Sequence, residues 1–431
     1  MSDRWYNALA GRSIGFPTED QNERSSAGAS RRAKRDGSDR LKINTPKALV
    51  RQNLPLETWI QIPDSIRAAY REWRPTPLLR AHRLEADIGA TSPLYFKDET
   101  RNIAGSHKYL TALAQAYYHA QSGATALVTS TAAGQWGTAV AAAAQRFGLR
   151  CRIYMVPGSY YGKPGRRVAM EMLGAEVLPA PPDSAGRTSL SAAMTHAVQE
   201  AASSEDLRWV LGGSEPFAIL HTTTIGIEAV EQLKAAEGPE AVERAVLIGY
   251  LGGGKNLLGL GLPFWEEGSS TSIRSIESTA YPLLTRGAYR FDETDDSGSS
   301  PRAAMYTLGY DHVGSQIQAE GMRYHAAPRL VSELLRRGDI QAAAYDEPEV
   351  FESARRFFRS EGVLPSAESA YAVHDACLQA TDEVNRGRPV VFCLSDHGYY
   401  DANAYRAWLD GELAPRVSAL PSRRPAVAST V

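Results

Sequence analysis

Leu94-Tyr95-Phe96-Lys97, then Gly105-Ser106-His107-Lys108, then Tyr109-Leu110-Thr111: one short stretch runs from strand-like residues through a polar turn into a helix-like run. It presents a lysine amine at a strand-to-helix junction. An amine there can condense with a carbonyl, and the positive end of the following helix favours an anion nearby. The pattern repeats outward. Strand-like runs are read at Leu94–Lys97, Ala126–Ser130, Arg152–Val156, Glu176–Pro179, Trp209–Gly212, Ala245–Gly249 and Val390–Ser395. Between them lie the helix-like stretches Lys108–His119, Gln135–Phe147, Lys163–Leu173 and Leu190–Glu200. Such alternation predicts an α/β fold with parallel sheets covered by helices on both faces. Ligands in such folds bind where strands end and helices begin.

Two further segments fall at such junctions. Gly252-Gly253-Gly254-Lys255-Asn256 follows the run Ala245–Gly249, and Leu394-Ser395-Asp396-His397-Gly398 ends the last strand. The glycine loop nearly spells a nucleotide P-loop, but Asn256 stands where a Ser or Thr must ligate magnesium. As a dinucleotide fingerprint it also fails, because Leu257 occupies the place of the third glycine. Three successive glycines still expose unencumbered N–H groups as an anion nest, although a plain strand-to-helix turn would use them too. A third junction, Thr129-Ser130-Thr131-Ala132-Ala133-Gly134-Gln135, suits a carboxylate through its amides, or is simply a helix capped by Ser130 or Thr131. His397 in its turn reads equally as structural, and Glu368 as an acid at a helix start. Taken together, an amine, a phosphate cradle and a hydroxyl are what a protein supplies to hold pyridoxal phosphate.

The bulk composition narrows the alternatives. The 431 residues are 43% hydrophobic and 22% charged, with a formal net charge of −2. That length supports two domains, and the balance gives no field that would favour nucleic acid or a membrane surface. Cys151, Cys377 and Cys393 lack metal-ligand spacing, so no metal is expected and a reducing, cytoplasmic setting fits. No run approaches the ~20 apolar residues of a membrane span. Residues 20–42, with the basic knot Arg31-Arg32-Ala33-Lys34-Arg35, read as a solvated arm, since Asp36 and Asp39 interrupt the charge. No repeat of fixed period is present.

The chain resembles the β subunit of tryptophan synthase, in particular its second, stand-alone branch. The resemblance spans roughly residues 50 to 411, with Arg4-Trp5-Tyr6-Asn7 similar to that branch's start. It rests on Arg74-Pro75-Thr76-Pro77-Leu78, Gly105-Ser106-His107-Lys108, Gly134-Gln135-Trp136-Gly137, Gly321-Met322-Arg323-Tyr324-His325, Glu361 through Ala370, and Ser395 with His397-Gly398. It implies a fold-type-II pyridoxal-phosphate enzyme whose two domains, each a twisted, mostly parallel sheet flanked by helices, hold the cofactor between them. The expected division is an N-terminal arm over 1–45, partly disordered, and a mobile substrate-side domain from 46–74 and 108–230. A phosphate-side domain from 75–107 and 231–415 and a flexible tail over 416–431 complete it.

By resemblance, Lys108 carries the Schiff base. Gly252, Gly253, Gly254, Lys255 and Asn256 hold the phosphate, helped by His107; Ser395 meets the pyridine nitrogen, and Glu368 also lies at the cofactor. Ser130, Thr131, Ala132, Ala133, Gly134 and Gln135 form the substrate loop. The expected partners are an amino acid and a small nucleophile, in a homodimer without an α-subunit.

This chain departs from the family at four places. Ser130 stands where the family has a glutamate, Ala132 where it has glycine, Lys255 where it has serine, and Leu110 where it has asparagine. A serine cannot act as an acid or base near neutral pH, and such catalysis is worth roughly 10² to 10⁴-fold. The expected reaction is therefore β-replacement through an α-aminoacrylate, with a better leaving group than hydroxide or a nucleophile other than indole, as in a specialised pathway. The competing readings are β-elimination, tryptophan synthesis from serine and indole, and a non-catalytic cofactor-binding protein.

Overall fold

The structure is a computed structural model that describes residues 2–18, 45–183, 186, 188–267, 271–293, 302–310, 312 and 314–413. The basic knot at 31–35 and the tail at 416–431 lie outside the described residues.

Two separate sheets organise the chain. The larger has six strands in the order Gln341–Tyr345, Ser272–Ser278, Val246–Tyr250, Val390–Leu394, Leu94–Asp98, Leu78–Arg80. All pair in parallel except Leu78–Arg80, which runs antiparallel along one edge. The smaller has four parallel strands in the order Ala175–Pro179, Arg150–Met155, Ala126–Thr131, Leu207–Trp209. Its strands all lie between residues 108 and 230, whereas those of the larger sheet lie within 75–107 and 231–415. The helix Thr224–Glu237 crosses the expected boundary at 230.

The central strands Leu94–Asp98, Val246–Tyr250 and Val390–Leu394 are buried at every residue. Continuous apolar runs of this kind are what a parallel sheet needs when helices cover both faces. The expected run Trp209–Gly212 is instead Leu207–Trp209: beyond it the Val210 carbonyl accepts the Thr129 hydroxyl at 2.7 Å, and the Gln115 side chain takes both backbone groups of Leu211.

Helices Thr224–Glu237 and Lys255–Glu267 pack unusually close. A Cβ on Gly226 would lie 2.2 Å from the Leu260 carbonyl oxygen, so only glycine fits there. Residues near the start are firmly seated: Arg4–Tyr6 pairs antiparallel with Trp59–Gln61, and Trp5 packs on His221 with ring centroids 4.6 Å apart.

A buried ion network joins the larger sheet to this helical layer. Arg74 binds Glu99 and Glu228, each at 2.8 Å, and Lys97 binds Glu228 at 2.9 Å. Two cations and two carboxylates balance, as buried charge requires. Lys97 is thereby removed from any chemistry, since its amine also donates to the Thr76 carbonyl and Gln232.

Candidate active site

The C-terminal ends of four parallel strands converge. Lys108 opens the helix Lys108–Gln121 after strand Leu94–Asp98, and Lys255 opens Lys255–Glu267 after Val246–Tyr250. Gln135 opens Gln135–Arg146 after Ala126–Thr131, and Ser395 and Asp396 follow Val390–Leu394. The turn at 105–107 is zipped to that last segment. His107 donates its amide to the Ser395 carbonyl at 2.8 Å, and His397 donates to the Gly105 carbonyl at 3.2 Å.

The Lys108 amine donates to Gln135 Oε1 at 3.1 Å and to Asp396 Oδ1 at 3.0 Å, and lies 3.3 Å from the Tyr250 hydroxyl. Gln135 in turn donates to Glu368 Oε2 at 2.8 Å, and the Gly321 amide donates to Glu368 Oε1 at 2.8 Å. Burial and the Asp401 charge push the Glu368 carboxyl up, with Lys163 and Lys108 pulling it down. Asp396 is fully buried. Burial pushes its carboxyl up, but Lys108, His107 and the Ser106 hydroxyl prevail and hold it well below the usual carboxylate range.

The glycine loop is shaped for an anion. Gly254 has φ +79°, and a Cβ there would meet Val331 Cγ2 at 2.9 Å. Among the described residues, the amides of Gly252, Gly253, Gly254 and Lys255 find no carbonyl acceptor. Successive free amides at a helix start form a phosphate-sized cradle. The Lys255 amine lies 2.6 Å from where a Gly253 Cβ would be, and donates to the carbonyls of Gly212 and Gly213 at 2.8 and 2.7 Å. Burial, then repulsion from Lys108, pulls this amine down to about 7 against the attraction of Asp396. Asn256 holds the loop's base by donating to the Tyr250 carbonyl at 3.0 Å. These groups fit the phosphate of pyridoxal phosphate.

The other expected residues divide. Ser395 is buried, its hydroxyl donating to Asp396 Oδ2 at 2.7 Å and lying 3.0 Å from Ser369 Oγ. His107 turns Nδ1 toward the Ser395 carbonyl at 3.2 Å, and burial with the Lys108 charge pushes its imidazole down. In the substrate loop, Thr131 turns inward: its hydroxyl accepts the amides of Gly134 at 3.2 Å and Gly137 at 3.3 Å. Ser130 and Ala133 are buried beside it, Ala132 is partly exposed, and Gly134 sits against Arg166 with φ +98°. Asp396 and Tyr250 were not singled out from the sequence. The signal for Asp396 was its place directly after Ser395 at a strand end; Tyr250 had none beyond closing its strand.

Residues 70–396 match the family model of pyridoxal-phosphate dependent enzymes. The chain is 42% identical to tryptophan synthase β chain 2 of Aquifex aeolicus, over 85% of this chain and 89% of that one. It is 39% identical to tryptophan synthase β chain 2 of Methanosarcina acetivorans, over 87% and 88%. The processed form of threonine deaminase isoform 2 from Solanum lycopersicum shares the fold, with a TM-score of 0.61 at 17% identity over 86% of this chain and 92% of that one. The chain belongs to the pyridoxal-phosphate dependent enzymes of fold type II, among the relatives of the tryptophan synthase β chain. Its cofactor is pyridoxal phosphate and its activity is that of a lyase. Among the described residues, no helix is long and apolar enough to cross a membrane.

Proposed function

We propose that this enzyme carries out β-replacement on an amino acid whose β-substituent leaves more readily than hydroxide, with a nucleophile other than indole. The observation that carries the reading is position 130. There a buried serine, not a carboxylate, stands next to last in the strand Ala126–Thr131 that leads into the substrate loop. Pyridoxal phosphate, when bound, supplies an electron sink for the substrate's α-carbon. Lys108 would hold the cofactor and take the α-proton, and Ser395 would meet its pyridine nitrogen. The amides of the Thr131–Gln135 loop hold the substrate carboxylate, and Gln135 orients the Lys108 amine. The 252–256 loop and Lys255 hold the phosphate. Nothing at position 130 can protonate a departing hydroxide, so the donor brings its own good leaving group.

The two sheets would act as two domains, with the four-stranded one closing on the substrate. The protein would work in the cytoplasm as a homodimer without an α-subunit, and sedimentation of the purified chain would test the assembly. The function is tested by supplying serine, O-phosphoserine or O-acetylserine with varied nucleophiles and reading products by mass spectrometry. Efficient tryptophan formation from serine and indole would refute it; accumulation of oxo acid and ammonia alone would favour elimination.

A further inference from the structure

Apart from Glu368, which meets Gln135, a carboxylate stands at the Lys108 amine itself: Asp396, which follows the strand Val390–Leu394. Besides the Lys108 amine at 3.0 and 3.3 Å, it accepts the Ser395 hydroxyl at 2.7 Å, the Tyr250 hydroxyl at 3.1 Å and the Ser106 hydroxyl. His107 Nδ1 stands 3.6 Å away. A carboxylate given this many donors while sealed from water is built to stay an anion. The other charged or titratable groups that act on it or on Lys108 are Lys255, Glu368, His397 and Cys393. Burial and the Asp396 charge keep the Tyr250 phenol protonated, so it serves as a donor.

We propose that Asp396 is a positioning residue, the fixed counter-ion of the Lys108 nitrogen, and stabilises the proton that Lys108 takes from the substrate. This rests on the reading of Lys108 given above. In that step the Cα–H bond breaks, its electron pair stays on the substrate, and an N–H bond forms at Lys108 Nζ. Asp396 carries the same charge before and after. It therefore steadies the Lys108 ammonium through that contact without restoring the acid absent at position 130, which agrees with a donor that needs no such acid.

The test uses the full-length protein, loaded and after removal of the cofactor with hydroxylamine. Brief pulses of acetic anhydride across a pH series, read by mass spectrometry, give the pH at which the Lys108 amine becomes reactive. Asp396→Asn should lower that midpoint by about one to two pH units, the usual reach of an adjacent opposite charge. Tyr250→Phe, which removes a hydroxyl but no charge, should move it by much less. In the loaded enzyme, Asp396→Asn should slow exchange of the substrate α-proton with deuterium by tenfold or more. An unchanged midpoint in Asp396→Asn, or an equal shift in Tyr250→Phe, overturns the proposal. If Asp396→Asn fails to fold, Asp396→Ser takes its place, with the same expected fall in the midpoint and the same overturning outcome. Borohydride trapping separates the two layers. Cofactor on another lysine sinks the reading of Lys108, whereas cofactor on Lys108 with an unmoved midpoint sinks only the role of Asp396.

Discussion

Replacing Lys255 with methionine probes why a buried cation sits on a glycine loop. The fall of its amine from the ordinary 10.5 to about 7, at about 1.4 kcal/mol per pH unit, means that its surroundings, burial foremost, disfavour the charged form by on the order of 5 kcal/mol. Because the folded value lies below the unfolded one, the unfolded chain binds the extra proton between pH 7 and 10.5. The cofactor-free protein should therefore gain stability as pH rises through that window. Lys255→Met removes this cost but strands the Gly212 and Gly213 carbonyls, at about 1–3 kcal/mol each, so the net change at pH 6 is small. Cofactor binding should respond far more. A hydrogen bond to a charged group is worth about 1.5–3 kcal/mol, or about 10- to 150-fold in affinity. The assay is the ratio of Kd for pyridoxal to Kd for pyridoxal 5′-phosphate, titrated by absorbance, which isolates the phosphate contribution. In wild type that ratio should fall as pH rises above 7, since phosphate binding must then restore a proton to Lys255. In Lys255→Met it should be lower and flat. A wild-type ratio independent of pH between 7 and 9, or a variant that keeps the wild-type ratio, would refute the reasoning.

Further outcomes are expected. Borohydride reduction and peptide mapping should place the cofactor on Lys108; Lys97, tied into the Glu228 network, and Lys255 should carry none. Gly254→Ala should lower Tm and weaken the cofactor, since φ +79° costs a non-glycine residue about 1–2 kcal/mol before the Val331 contact is counted; an unchanged Tm would count against that cradle. Ser130→Glu should shift preference from O-phosphoserine or O-acetylserine toward serine, measured as product formed from each donor, and no shift would mean the position is not where the acid acts. Burial depresses His119 and His221 to about 3, so their contribution to stability should be complete above pH 6.5 and be lost as pH falls from there toward 3. Thermal melts of His119→Gln should show a flatter acid limb, and an identical limb would exclude His119 as a contributor.

Local sequence was enough for the elements that hold the chemistry. Val246–Tyr250 and Val390–Leu394 are apolar throughout because neighbours cover both faces, and such runs stand out in a linear reading. The Lys108 junction and the triple-glycine loop were legible for the same reason: their function depends on adjacent backbone groups. By contrast, Ser272–Ser278, with Arg274 and Glu277 in its middle, and Gln341–Tyr345, with three alanines, look like neither strand nor helix locally. They are strands because parallel partners supply their hydrogen bonds.

The site divides along the same line. That Lys108 and the 252–256 loop lie where strands end and helices begin follows from sequence alone, through propensity, spacing and glycine's conformational freedom. That Asp396 meets Lys108, 288 residues earlier in the chain, was decided only by the pairing of Val390–Leu394 beside Leu94–Asp98. The position of the Lys255 amine against the carbonyls of Gly212 and Gly213 was likewise settled in three dimensions. Charge, burial and hydrogen bonding depend on what surrounds a group in space, and a linear chain does not carry that information in any local window.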